Sequence, residues 1–204
     1  MENKYKNTIK SYKKLGETYV KSIKNLTPPQ FNIFIKEVLP RGKVLDVGCA
    51  GGRDSKKLVQ ERFDVVGIDV VNEFLDVAKR DVPKAKFFKM DLLKLKFPKD
   101  YFDGIWANAI LLHINKKDVP VIIKNFYKIL KPKGKLFIGV KVGKGTTYNV
   151  DKLSHYKRLM VLFTKKQIKD FLKKYGFKII YVKILPDDAG RKDIKWLRLI
   201  AEKI

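Results

Sequence analysis

One stretch narrows the possible folds of this chain more than any other: Val44-Leu45-Asp46-Val47-Gly48-Cys49-Ala50-Gly51-Gly52-Arg53-Asp54, with Val65-Val66-Gly67-Ile68-Asp69 following it. An apolar run ends at an acid, passes a glycine-rich turn and enters a polar helix, and a second apolar run then ends at another acid. This is how a nucleotide-like cofactor is held at the mouth of a parallel sheet: the turn lets backbone approach the ligand, and the second carboxylate accepts the ribose hydroxyls.

The pattern around the turn predicts an α/β chain. Strands are expected at 43–47, 64–68, 86–90, 102–107 and 135–142, with helices at about 53–62, 72–80 and 117–130 between them. Strands alternating with helical periods argue a doubly wound, mostly parallel sheet covered on both faces. The tail changes character. A helix over 164–175 ends at Gly176, and strands 177–185 and 194–202 flank a turn containing Gly190. A hairpin there adds an antiparallel C-terminal strand, for seven strands in all. Ahead of the sheet, residues 5–25 read as an amphipathic helix carrying Tyr5, Tyr12, Leu15, Tyr19 and Ile23 near one face. Pro28-Pro29 breaks it, and a short apolar helix covers 31–39. The expected organisation is a helical cap or lid over 1–40 and a cofactor-binding domain over 41–204.

Composition excludes several classes. At 204 residues the chain supports a single domain with a sizeable core. No apolar run nears the roughly 18–20 residues of a membrane span, and the Lys-rich N-terminus lacks the apolar centre of a secretory signal. Cys49 is the sole cysteine, which excludes internal disulfides and a multi-cysteine zinc site and suits a cytoplasmic setting. His113 and His155 are the only histidines and stand beside no carboxylate cluster, so no metal is expected.

The net charge of +25 is unevenly spread: 10 basic and 3 acidic residues in 1–43, 16 and 12 in 44–130, and 20 and 6 in 131–204. Basic flanks suit a polyanionic partner such as RNA. Lys outnumbers Arg 39 to 7, however, and Arg is the preferred phosphate reader, which favours a solvated lysine surface.

Glycine spacing alone does not choose the cofactor. The turn reads Asp46-x-Gly48-x-Ala50-x-Gly52, which resembles motif I of the class I S-adenosylmethionine-dependent methyltransferases, with Ala50 in place of the middle glycine. The resemblance spans roughly residues 40–204. Asp69 stands where the family's ribose-binding acid ends the second strand, and Asp91 in Lys89-Met90-Asp91-Leu92 where an acid meets the adenine amine. Phe102 to His113 is similar to the fourth strand and its loop, and Tyr127-Lys128-Ile129-Leu130-Lys131-Pro132-Lys133-Gly134 to the lead into the fifth. Phe163-Thr164 through Tyr175-Gly176-Phe177 is similar to the late helix and the start of the hairpin. The nearest likeness is to small-molecule enzymes of the ubiquinone/menaquinone-biosynthesis and tellurite-resistance types.

The resemblance implies a site for S-adenosylmethionine, and for its product S-adenosylhomocysteine, built from Tyr19, Asp46, Gly48, Cys49, Ala50, Gly52, Arg53, Asp69, Val70, Asp91, Leu92, Ala107 and Asn108. Arg53 has two readings, a partner for the methionine carboxylate or an exposed first-turn arginine. Asp69 and Asp91 could alternatively be helix caps. Asp46 is expected to orient the loop. Tyr12 and Tyr19 could close over the cofactor or merely pack their helix.

Methyl transfer from a sulfonium is an in-line displacement that needs alignment rather than a protein nucleophile. Trp106-Ala107-Asn108-Ala109 lacks the Asn/Asp-Pro-Pro-aromatic motif of base-amino methyltransferases, and with Cys49 in the turn no cysteine remains to attack a pyrimidine. His113, just past the fourth strand, is either a general base or a loop histidine bonded to backbone. Trp106 and Trp196 are expected to fill the core. The favoured reading is methyl transfer to an O, N or S nucleophile of a small molecule, with no membrane partner. The alternatives are an RNA methyltransferase using the basic flanks and a non-catalytic cofactor-binding module.

Overall fold

The structure is a computed structural model and describes residues 3–150 and 153–204, so the first two residues of the expected cap lie outside the described residues. Helix α1 (Asn3–Ser22) and helix α2 (Gln30–Glu37) precede the sheet. Then follow β1 (Lys43–Val47), α3 (Arg53–Gln60), β2 (Asp64–Asp69), α4 (Asn72–Asp81), β3 (Lys86–Lys89), β4 (Phe102–Asn108), α5 (Val119–Ile129) and β5 (Leu130–Lys141). A hairpin of β6 (Thr146–Val150) and β7 (Lys157–Val161) comes next, and α6 (Lys165–Lys174), β8 (Phe177–Pro186) and β9 (Lys195–Lys203) complete the chain.

The main sheet has seven strands in the order β3-β2-β1-β4-β5-β9-β8. Strands β1 to β5 pair in parallel, and β9 inserts antiparallel between β5 and β8. The chain runs outward from β1 through β2 to β3, then returns to place β4 on the other side of β1. That reversal opens a crevice beyond the carboxyl ends of β1 and β4, where open α/β sheets bind ligands.

Alternation along the central strands divides the core. Leu45, Ile105, Leu136 and Leu199 face a large cluster with Ile122, Phe126, Ile168 and Leu172 of α5 and α6. Val44, Trp106, Phe137 and Ile200 face the other way, onto Phe31 and Phe34 of α2 and Leu58 of α3. Trp106 is fully buried and stacks on Phe137 with ring centroids 3.8 Å apart, as its position within an apolar strand predicts.

Two features depart from the sequence reading. Residues 146–150 and 157–161, given no element by the sequence, form a separate two-stranded antiparallel sheet running from Thr146↔Val161 to Val150↔Lys157. Helix α1 is also kinked rather than continuous. Gly16 sits at φ 46°, ψ −131°, a conformation close to the first central position of a type II′ turn and open to glycine alone.

Candidate active site

The turn after β1 is shaped by left-handed backbone at alternate residues: Gly48 at φ 68°, Ala50 at φ 45° and Gly52 at φ 79°. Glycine takes this region freely, whereas at Ala50 it costs about 1–2 kcal/mol. Asp69 holds the strained turn in place, its Oδ2 accepting the Ala50 N–H at 3.0 Å. The other Asp69 oxygen accepts from Val70 N at 2.7 Å and Val71 N at 3.0 Å. Gly48 N and Cys49 N both donate to Ile68 O, fastening the turn to the end of β2.

Below the turn lies an acidic pair. Asp46 is buried and accepts from Ser55 Oγ at 2.6 Å. Burial, and then the neighbouring Asp54 carboxylate, push Asp46 up to about 7. Burial pushes Asp54 up as well, but the Arg53 guanidinium, Trp106 Nε1–H and the Thr27 hydroxyl outweigh it and hold Asp54 below its ordinary value. Arg53 donates Nε–H and Nη2–H to Asp54, each at 2.7 Å, and Nη1–H to Ile23 O at 3.2 Å. Its charge is therefore committed within the protein. Burial raises the Cys49 thiol well above its ordinary value, which leaves it unreactive.

The crevice holds a cavity of about 690 Å³, within the range of small-molecule sites. Of the residues expected to bind cofactor, it gathers Tyr19, Asp46, Gly48, Cys49, Ala50, Arg53 and Asn108. A Cβ on Gly139 of β5 would stand 2.5 Å from Asn108 Oδ1, so glycine there makes room for the amide. Gly52, Asp69, Val70, Asp91, Leu92 and Ala107 do not line the cavity. Ala107 and Leu92 are core residues. Asp91 caps a single helical turn by accepting from Leu93 N at 3.0 Å, which is the cap alternative in the flesh.

Val70 packs against α1. Tyr19 stacks on Phe74 at 5.5 Å, and Tyr19, Val20 and Val70 pack around Ala50, Val71 and Phe74. Burial chiefly raises the Tyr19 phenol, and Asp69 lies near enough to add to it.

The first half of α1 is tied elsewhere. Tyr5 Oη donates to Asp118 Oδ2 at 2.5 Å, and Thr8 Oγ1 accepts from Leu159 N at 2.9 Å. Tyr12 Oη and His113 Nε2 are 2.8 Å apart, and His113 Nδ1 is 2.8 Å from Leu159 O. A carbonyl can only accept, so Nδ1 carries the proton and Nε2 accepts from Tyr12. Burial lowers His113 to about 4. His113 is thus bonded to backbone, as the loop reading has it, and it also lines the cavity.

The far wall was not legible in the sequence. Lys141, at the end of β5, lines the cavity with Arg158 of β7, Asp187, Asp188, Arg191 and Arg198. Asp187 is held well below its ordinary value, chiefly by hydrogen bonds from the Arg191 guanidinium, with Trp196 Nε1–H at 2.7 Å adding to them. Trp196, expected in the core, also lines this wall. Asp187-Asp188 with Arg191 four and three residues on was the one available sequence signal, and it lay in the hairpin turn with nothing in the sequence to bring it to the cavity. Among the described residues no group of three or more His, Cys, Asp or Glu could hold a metal ion, and no helix is long and apolar enough to cross a membrane.

Comparison with known proteins agrees with this architecture. Residues 44–134 match the family described as a methyltransferase domain. The chain is 35% identical over 128 residues to phosphoethanolamine N-methyltransferase 3 of Arabidopsis thaliana, covering 60% of this chain and 26% of that protein. It is 31% identical over 123 residues to a ubiquinone biosynthesis O-methyltransferase of Coxiella burnetii, covering 58% and 52%. The chain therefore spans about a quarter to a half of the length of these curated relatives. The crystal structure of Burkholderia thailandensis 1,6-didemethyltoxoflavin-N1-methyltransferase, with S-adenosylhomocysteine bound, superposes with a TM-score of 0.74 at 20% identity, over 92% of this chain and 82% of that one. Residues 44–134 thus carry a methyltransferase domain, and the seven-stranded sheet has the fold of the S-adenosylmethionine-dependent methyltransferases on which it superposes.

Proposed function

We propose that this protein binds S-adenosylmethionine against the Gly48–Gly52 turn and catalyses transfer of its methyl group to an O, N or S nucleophile of a small molecule. The observation that carries the reading is the left-handed turn at Gly48, Ala50 and Gly52 opening into a cavity at the switch point between β1 and β4. Names of relatives acting on phosphoethanolamine and in ubiquinone biosynthesis support the small-molecule class.

The residues present fit such a cofactor. Gly48 and Ala50 keep the turn's side of the cavity wall small, and Asn108 adds an amide. The bound cofactor supplies the electrophilic methyl group. The chain's own residues orient and seal. Tyr12 and Tyr19 exclude water from above, and the first 40 residues act as a cover for the 41–204 domain. Gly16 is the hinge of that cover, and movement of the segment beyond it gives the ribose access to Asp69. The proton lost by an O–H or N–H nucleophile leaves to solvent, because His113, lowered to about 4, does not keep one near neutral pH. The Nδ1–H bond to Leu159 O fixes the tautomer whose Nε2 holds Tyr12 Oη over the cavity.

Calorimetry with S-adenosylmethionine, S-adenosylhomocysteine and NAD, followed by an assay for S-adenosylhomocysteine formation over a panel of small acceptors, tests the proposal. Saturable binding of the first two, with turnover on at least one acceptor, is expected. Binding of NAD with none of S-adenosylmethionine would overturn the cofactor. Stoichiometric methylation of purified tRNA with no small-molecule turnover would replace the substrate class.

A further inference from the structure

Lys141 is the last residue of β5, opposite Trp196 in the register with β9, and lines the same cavity as the glycine turn. Its ammonium lies 5.9 Å from the Trp196 ring centroid and makes no hydrogen bond or ion pair among the described residues. The two nearby carboxylates are already spent. Asp187 accepts from Arg191 Nε, Arg191 Nη2, Trp196 Nε1 and the amides of Ala189 and Arg191. Asp188 pairs with Arg198. Arg198 is 2% exposed, and its Nε–H has no partner although Nη1 reaches Gln30 Oε1 at 2.9 Å. The wall thus holds a cation and a buried guanidinium donor that the protein does not satisfy. Burial first and then Arg191 lower the Lys141 pKa, Asp187 raises it in part, and Arg158 lowers it again. Such groups are costly unless something pairs with them.

We infer that this wall is an anion subsite anchored by Lys141 and supported by Arg198, and that the methyl acceptor carries a carboxylate or phosphate group. The inference rests on the methyltransferase reading for the word acceptor and on the cavity alone for the anion. Neighbouring strands lie roughly 4.8 Å apart, so the end of β5 is about 10 Å across the sheet from the end of β1. A small acceptor spans that distance with its nucleophile by Asn108 and its anionic group on Lys141. A lysine ammonium is a point charge without the planar fork that selects one oxyanion shape, so it accepts either group.

The test titrates inorganic phosphate and, in a separate arm, benzoate into the full chain at low ionic strength, with and without saturating S-adenosylhomocysteine. Expected is saturable one-to-one binding in at least one arm, weakened tenfold or more by both Lys141→Met and Lys141→Gln. The surface variant Lys165→Met should be unaffected, as should S-adenosylhomocysteine affinity in every variant. The arm that binds identifies phosphate or carboxylate. Absence of saturable binding in both arms, or equal weakening by Lys165→Met, would overturn the subsite and leave only a generally basic surface. Failure of S-adenosylhomocysteine to bind would instead remove the methyltransferase reading, while the anion titration still reports on the wall.

Discussion

A Cβ built on Gly51 would stand 2.4 Å from Cγ1 of Val20, so helix α1 rests directly on the glycine turn. Val20 has little freedom to yield, because its branched side chain is restricted at χ1. Gly51→Ala should therefore lift the segment around Val20 off the turn while leaving the sheet intact. Limited proteolysis should show faster cleavage between residues 17 and 27, and Val20→Ala in the same chain should restore protection. Unchanged cleavage in the single variant would mean that the helix does not rest there in solution.

The kink at Gly16 has a separate signature. Nothing lies within 4 Å of a Cβ placed there, so Gly16→Ala meets no steric clash and reports backbone strain alone. A residue forced into this region costs about 1–3 kcal/mol. The variant chain gains by straightening α1, but a straight helix cannot keep both the Tyr12–His113 bond and the Val20–Gly51 contact. Denaturant unfolding should register the loss in that range, with weaker cofactor binding. A stability gain, as glycine-to-alanine gives within a regular helix, would contradict the kink.

Two buried groups should titrate with opposite effects. Asp46, raised from 3.8 to about 7, holds a proton that the unfolded chain has released. Its contribution to stability is complete below pH 4 and is lost as pH rises through 7. His113, lowered from 6.5 to about 4, contributes fully above 6.5 and loses that contribution as pH falls through 4. Between pH 4 and 6.5 the slopes oppose each other, each at most about 1.4 kcal/mol per pH unit. Relative to wild type, Asp46→Asn should gain stability as pH rises across this window, and His113→Gln should lose it. Urea midpoints at several pH values decide the matter, and curves parallel to wild type would mean that neither group is perturbed.

Asp69 should serve the fold as well as the ligand. Asp69→Ala removes the acceptor for Ala50, Val70 and Val71 N–H, and a buried donor left unmade costs roughly 1–3 kcal/mol. Asp69→Asn keeps one oxygen and should fall between the two. S-adenosylhomocysteine affinity should drop at least tenfold in Asp69→Ala. Full stability in that variant would show that the three amides find other partners.

The sheet was legible because its strands announce themselves. The runs ending at Asp46, Asp69 and Asn108 are apolar, bounded by turn residues and buried on both faces, so the local pattern and the tertiary demand coincide. The turn itself was legible for a similar reason, since a left-handed backbone at alternate positions asks for glycine, and glycine is visible in a sequence. Strand β6 shows the opposite case. All five of its residues are exposed, so no apolar alternation marks it, and only pairing with β7 makes it a strand.

What the sequence determined by itself was local: the order of strands and helices, the glycine turn, the acids that flank it and the family that these features resemble. What the tertiary structure decided was which groups share a space and which are already spent. Arg53 is free in a sequence and committed to Asp54 in the fold. Asp69 holds three amides, and Lys141, unremarkable between Val140 and Val142, faces the cavity without a counter-ion. Charge pairing and cavity lining depend on contacts across 28, 46 or 168 residues of chain, and no local pattern records them.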